Sequence, residues 1–181
     1  MKIGLTGTMS VGKTTLVDAL KKSNKFKHYK FATERSKYLS DLGIPLNTDS
    51  TLKGQTVFLA ERCAELLNEN IITDRTIIDV LSFTFKADSI NFRDKKLFEN
   101  YAKRFISEYD YIFYIPMEGV ELEDNGVRCV DKDYRNKIDF TIKQMIKDHG
   151  TEPKNVISIP PCLTVEERVA FIEENTLTTY L

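Results

Sequence analysis

Residues Gly7-Thr8-Met9-Ser10-Val11-Gly12-Lys13-Thr14 fit the pattern G-x-x-x-x-G-K-[ST], in which backbone N–H groups and a helix N-terminus surround the phosphates of a nucleotide. Each residue type has a mechanical reason. Gly7 and Gly12 permit a backbone geometry and a close approach that a Cβ obstructs, Lys13 sets a positive charge against the β and γ phosphates, and the Thr14 hydroxyl is a ligand for Mg²⁺. Thr8, Met9, Ser10 and Val11 complete the turn around the phosphates, and Thr15 borders it as helix. Chance supplies roughly 0.005 such matches in a chain of 181 residues with this composition.

The flanks of the loop are those the motif needs. Residues 2–5 are a short apolar run that predicts a strand, and 13–22 place Leu16, Ala19 and Leu20 on one helical face. The same alternation continues along the chain and predicts an α/β domain around a five-stranded parallel sheet. Residues 29–33 read as the second strand, Ile71 and Ile72 as a third ending at Thr73-Asp74-Arg75, and 155–159 as the last. Residues 111–115 are continuously apolar and stop at Pro116, as a strand covered on both faces does.

Between the strands, 36–70 predicts helix interrupted at Gly43-Ile44-Pro45 and at 47–50, with Leu59, Cys63, Leu66 and Leu67 on one stripe. Ile77, Leu81 and Phe85 mark the next helix, Leu97, Tyr101 and Phe105 another, and Ile138, Ile142, Met145 and Ile146 a third that ends at Gly150. Thr164-Val165-Glu166-Glu167 is a capping box for the final helix. The polar segment 117–133 is a candidate lid.

This organisation fits one domain over residues 1–181. With 26 basic and 27 acidic side chains and a formal charge of -1, no global positive field holds a long nucleic acid or an anionic membrane. Glycines and threonines interrupt the first residues where a signal peptide keeps an apolar run, so a cytoplasmic location is expected. Cys63, Cys129 and Cys162 lie far apart and read as reduced, mostly buried thiols. His28 and His149 have no partner at metal or triad spacing and read as exposed.

A hydrolysing ATPase usually ends the strand opposite the loop in Asp-Glu, whose glutamate activates water. Here that strand ends in Asp74-Arg75. An arginine is no base, but it holds an anionic or hydroxylated acceptor close to the transferred group, so the pair points to transfer onto a bound substrate. Asp74 is a candidate for Mg²⁺ or for the general base, with helix capping as its plain alternative, and Asp79 reads as a solvated helix position.

Glu34 and Arg35 end the second strand on the same edge of the sheet as the loop. A nucleoside acceptor has a hydroxyl proton to lose, and Glu34 or Asp74 is the carboxylate available to take it. A nucleoside monophosphate is already anionic, and Arg35 and Arg75 would grip it. A solvated ion pair is the competing account of Glu34 and Arg35. Tyr38 and Gln55 are candidates to stack on or hydrogen-bond the acceptor.

Taken in order, these parts resemble the P-loop nucleoside and nucleotide kinases. Within that class the chain is most similar to the bacterial ribosylnicotinamide kinase domain and the small P-loop ATPase or kinase-like family around it. The resemblance runs through Thr33-Glu34-Arg35-Ser36-Lys37-Tyr38, the helix of Gln55, Asp74-Arg75, and Asp124-Asn125-Gly126-Val127-Arg128 through Tyr134-Arg135 to Asp139. The Asp-Arg pair itself looks more like deoxynucleoside or thymidylate kinases. The resemblance implies a three-layer P-loop NTPase fold, ATP as phosphoryl donor with Mg²⁺, and a lid whose Arg128 and Arg135 close onto the transferring phosphoryl group. Asp139, four residues after Arg135, would orient that guanidinium. The implied partner is a small nucleoside or nucleotide, and a homodimer is left open.

Two other readings compete. A polynucleotide 5′-hydroxyl kinase uses the same loop but needs a basic channel, which a charge of -1 disfavours. A non-catalytic nucleotide sensor would bind ATP and engage a partner through residues 36–70.

Overall fold

The computed structural model describes residues 1–33, 35–120, 131–150 and 155–176. Strands β1 (Lys2–Thr6), β2 (Lys30–Ala32), β3 (Ile71–Asp74), β4 (Tyr111–Tyr114) and β5 (Asn155–Ser158) form one five-stranded sheet of order β2-β3-β1-β4-β5. Every neighbouring pair is parallel. The helices are α1 (Lys13–Leu20), α2 (Ser36–Asp41), α3 (Leu52–Glu65), α4 (Ile77–Lys86), α5 (Phe92–Ala102), α6 (Lys132–His149) and α7 (Val165–Asn175). The parallel α/β sheet with helices on both faces is the fold that the sequence predicts.

The strand period of two divides the core. Ile3, Leu5, Ile72 and Phe113 face Leu16, Val17 and Leu20 of α1 and Ile172 of α7. Ile112 and Tyr114 face the other way, onto Leu59 and Leu66 of the α3 region, α4 residues such as Ile78 and Leu81, and Ile138 and Ile142 of α6. On that second face β1 carries Gly4, where a Cβ would lie 2.4 Å from the Thr76 methyl and 2.9 Å from the Tyr109 ring. Only glycine lets α4 begin this close to the central strand.

That closeness has a function in the architecture. β1 lies between β3 and β4, and successive connections leave it toward opposite edges of the sheet, so a crevice opens beyond its carboxyl end. The phosphate loop, the end of β3 and the start of α4 all meet there.

Several local expectations are corrected. Asp79 is buried rather than solvated: its Oδ2 accepts the Thr76 N–H and hydroxyl at 2.8 and 3.0 Å in a capping box. Leu67 lies past the end of α3 and is 85% exposed, and Leu97 and Tyr101 also face outward. Helix α5 buries Phe98 and Ala102 instead, a face rotated by one residue from the predicted one. His149 is paired, not exposed, with its Nε2 3.1 Å from Glu99. Cys162 is exposed and Cys63 only partly buried, so the expectation of buried thiols fails for both; Cys129 lies outside the described residues. The candidate lid 117–133 is too long, because Asp131 caps α6 and residues 132 and 133 are its first turn. Among the described residues no helix is long and apolar enough to cross a membrane.

Candidate functional site

The chain leaves β1 at Thr6 and must reverse within a few residues to enter α1. Gly7 makes the first bend, with a φ of 153° and the Ile115 carbonyl 2.7 Å from where a Cβ would sit. Gly12 makes the last one at φ 84°, and Ser10 adopts the left-handed region at φ 59° between them. The loop carbonyls are then drawn to buried donors. Lys13 Nζ donates to the carbonyls of Gly7 and Thr8 at 2.6 and 2.7 Å, Arg135 Nε to that of Met9 at 3.2 Å, and Arg168 Nη1 to that of Val11 at 2.8 Å. Asp79 completes the frame by accepting the Gly7 N–H at 3.4 Å. Residues Met9 to Thr14 with Asp74 and Arg75 line an open cleft.

Parallel pairing of β1 with β3 sets Asp74 beside Leu5, one residue short of the loop. From there its Oδ2 accepts the Thr14 hydroxyl at 2.5 Å. The other carboxylate oxygen, Oδ1, is buried and has no hydrogen-bond partner among the described residues. A buried carboxylate left with an unused oxygen is costly unless a cation or donor joins it. Two hard oxygens next to a phosphate loop fit magnesium, which takes one or two protein ligands and completes its shell with water and phosphate oxygens.

Arg75 follows with φ 84°, its N–H held by the Leu5 carbonyl at 3.0 Å and its guanidinium 5.0 Å from the centre of the Phe83 ring. A left-handed arginine is strained, and strain of this kind is retained where the surroundings fix it. Beside it α3 contributes a charged layer. Arg62 is buried, donating Nη1 to the Asp74 carbonyl at 2.9 Å and Nη2 to Glu65 at 2.6 Å. Arg35 pairs with Glu61 at 3.1 Å and lies 4.5 Å over the Tyr38 ring. Burial, against the attraction of Arg62, pushes the Glu65 carboxyl up to about 7. One oxygen each of Glu61 and Glu65 is buried without a hydrogen-bond partner among the described residues.

A family model described as an AAA domain matches residues 2–168. The chain belongs to this AAA domain family. Deoxyadenosine kinase from M. mycoides with bound dCTP superposes with a TM-score of 0.68 at 18% identity, covering 97% of this chain and 98% of that one. NadR protein in complex with NR superposes with a TM-score of 0.73 at 18% identity, covering 95% of this chain and 50% of that one. NadR with NAD and AMP-PNP gives a TM-score of 0.71 at 16% identity, over 99% of this chain and again half of the other. No curated protein matches the chain. At such identities the likeness is one of fold, and it is the fold that the resemblance read from the motifs implies.

In this AAA domain the structure brings together the loop, Lys13, Thr14, Asp74, Arg75 and Arg135. Gln55 is 3% exposed on α3, the helix that carries Arg62, while Tyr38 stands at the surface under Arg35. Arg135 is buried, with Nη1 on the Val120 carbonyl at 2.9 Å and Nη2 without a partner among the described residues. Asp139 acts on it through charge at a distance rather than by a hydrogen bond. Its oxygens accept instead from the Tyr114 hydroxyl at 2.7 Å and pair with Lys143 at 2.9 Å, because the i+4 position of α6 faces β4. Glu34 and Arg128 lie outside the described residues.

The sequence reading missed Arg62, Glu61, Glu65 and Arg168. For Arg62 a signal existed: it occupies a stripe position between Leu59 and Leu66, where a charge needs a buried partner. Arg168 sits in an ordinary amphipathic helix turn, and nothing local marks it.

Proposed function

We propose that this protein is a kinase that transfers the γ-phosphoryl group of ATP to the hydroxyl of a small nucleoside. The observation that carries the reading is the contact of Thr14 with Asp74 beside Lys13, followed by Arg75 where a hydrolase would keep a water-activating carboxylate. Thr14 and Asp74 would hold magnesium, which supplies charge neutralisation on the phosphate oxygens.

The chain's own residues divide the remaining work. The backbone of residues 7–14 and Lys13 bind the β and γ phosphates, with Thr15 at the edge. Arg135, and Arg128 from the lid, stabilise charge on the transferring group. With Asp74 assigned to magnesium together with Thr14, Glu34 is the base: it takes the hydroxyl proton as the acceptor oxygen bonds to the γ phosphorus, and the bond from phosphorus to the β-bridging oxygen breaks to release ADP. Arg75, Arg35, Tyr38 and Gln55 orient the acceptor.

The charge layer on α3 supports a nucleoside over its monophosphate. Arg35 and Arg62 are already paired with Glu61 and Glu65, so an incoming phosphate dianion would meet one carboxylate for each guanidinium it sought. The reaction suits a cytoplasmic setting, where ATP is supplied.

The test is ADP release from Mg²⁺-ATP with a panel of ribosylnicotinamide, deoxynucleosides and their monophosphates. Stimulation by a nucleoside and not by its monophosphate is expected. Stimulation by monophosphates alone would move Arg35 and Arg75 to a phosphate clamp, and none at all, with ATP still bound, would favour a nucleotide sensor.

A further inference from the structure

Among the described residues three arginines are buried, and they differ in one respect. Arg62 has a carboxylate, Glu65, at 2.6 Å. Arg135 and Arg168, 8% and 7% exposed, form no ion pair among the described residues, and both donate to carbonyls of the phosphate loop. A buried guanidinium without a counter-charge is costly and is retained where an anion completes it. Arg135 is accounted for by the lid. Arg168 is not.

Arg168 reaches the loop from the first turns of α7, on the far side of the sheet from α6. Its Nε donates to the Leu163 carbonyl at 3.1 Å and its Nη1 to the Val11 carbonyl at 2.8 Å. Because a trans peptide is planar with its C=O and N–H opposed, holding the Val11 carbonyl toward α7 aims the Gly12 N–H away from it. Gly12 lines the cleft, and a Cβ there would stand 3.5 Å from the same Nη1, so the guanidinium fixes this corner of the loop from behind. The second bond ties that corner to the segment that follows β5.

We propose that Arg168 is a positioning residue for the phosphoryl donor: it presets the Gly12 amide, and its unpaired charge is completed by the polyphosphate. This rests on the reading of the loop as a nucleoside triphosphate site and is independent of the acceptor.

Calorimetric titration of the full chain with Mg²⁺-ATP and with inorganic tripolyphosphate tests it, for wild type, Arg168→Met, Arg168→Gln and Arg168→Lys. Met and Gln remove the charge and should weaken both ligands about tenfold, while Lys keeps the charge, reaches one carbonyl and should recover to within about threefold. In turnover, KM for ATP should rise with kcat within about twofold, the pattern of lost ground-state binding. Folded Met or Gln variants that bind tripolyphosphate as wild type does would overturn the proposal. If neither folds, an Arg168→Lys variant that binds tripolyphosphate about tenfold or more weakly than wild type, although it keeps the charge, overturns it. Binding is read without an acceptor. Weakened binding in the variants together with a wild type that no acceptor stimulates would therefore refute the kinase reading and leave this one standing.

Discussion

The Thr14 hydroxyl donates to Asp74 Oδ2 across 2.5 Å and so joins the first turn of α1 to the last residue of β3. Neither residue is near the other in sequence; the parallel register of β1 and β3 brings them together. Asp74→Asn keeps an oxygen for the hydroxyl but removes the negative charge that magnesium requires. Acceptor-dependent ADP release should fall by about 10²-fold or more, with the thermal transition little changed. Titration with ATP in the absence of magnesium should match wild type, and only the magnesium-dependent gain in affinity should disappear.

Lys13 is the second element of the proposed donor site. Its ammonium bonds to the Gly7 and Thr8 carbonyls, where it is held within the loop. Lys13→Met retains most of the side-chain volume without the charge. A loss of about 10²–10³-fold in turnover is expected, because a donor aimed at developing phosphoryl charge acts in a partly desolvated site. Full phosphoryl transfer by this variant would contradict the assignment of the loop.

Gly4 carries the packing that brings α4 to the site. Gly4→Ala would force its methyl onto the Thr76 methyl and the Tyr109 ring, at a cost of about 1–3 kcal/mol for overpacking. Urea unfolding should report that loss. Adding Thr76→Ser removes the nearer obstacle and keeps the capping hydroxyl, so the double variant should recover part of the stability. A double variant as unstable as Gly4→Ala would place the clash elsewhere.

The fold and the shape of the loop between β1 and α1 were legible because both rest on local pattern. The loop motif has fixed spacing, and strands such as YIFYI at 111–114 and beyond are continuous apolar runs that only a buried parallel sheet accommodates. What was not legible depends on rotation and on distance. The predicted stripe Leu97 and Tyr101 is one residue away from the buried Phe98 and Ala102, and a period of 3.6 does not by itself choose between adjacent faces. Asp79 looked solvated because its partners, Thr76 and Gly7, sit three residues and seventy-two residues away, and only the second reveals its burial. Arg168 and Val11 are 157 residues apart, so their contact is a product of α7 packing on α1.

Glu65 gives the site a dependence on pH whose sign follows from its environment. Burial raises its carboxyl from 4.5 to about 7, so the native state holds a proton that the unfolded chain has already released across that window. The contribution is therefore most favourable at or below about pH 4.5 and is lost as pH rises toward about 7. Glu65→Gln keeps an acceptor for Arg62 and removes the titration. The stability of the variant relative to wild type should grow with pH between those values and then level off, as read by urea unfolding at a series of pH values. A flat difference would mean that Arg62 offsets burial at this carboxylate, and one that grows as pH falls that Arg62 outweighs it.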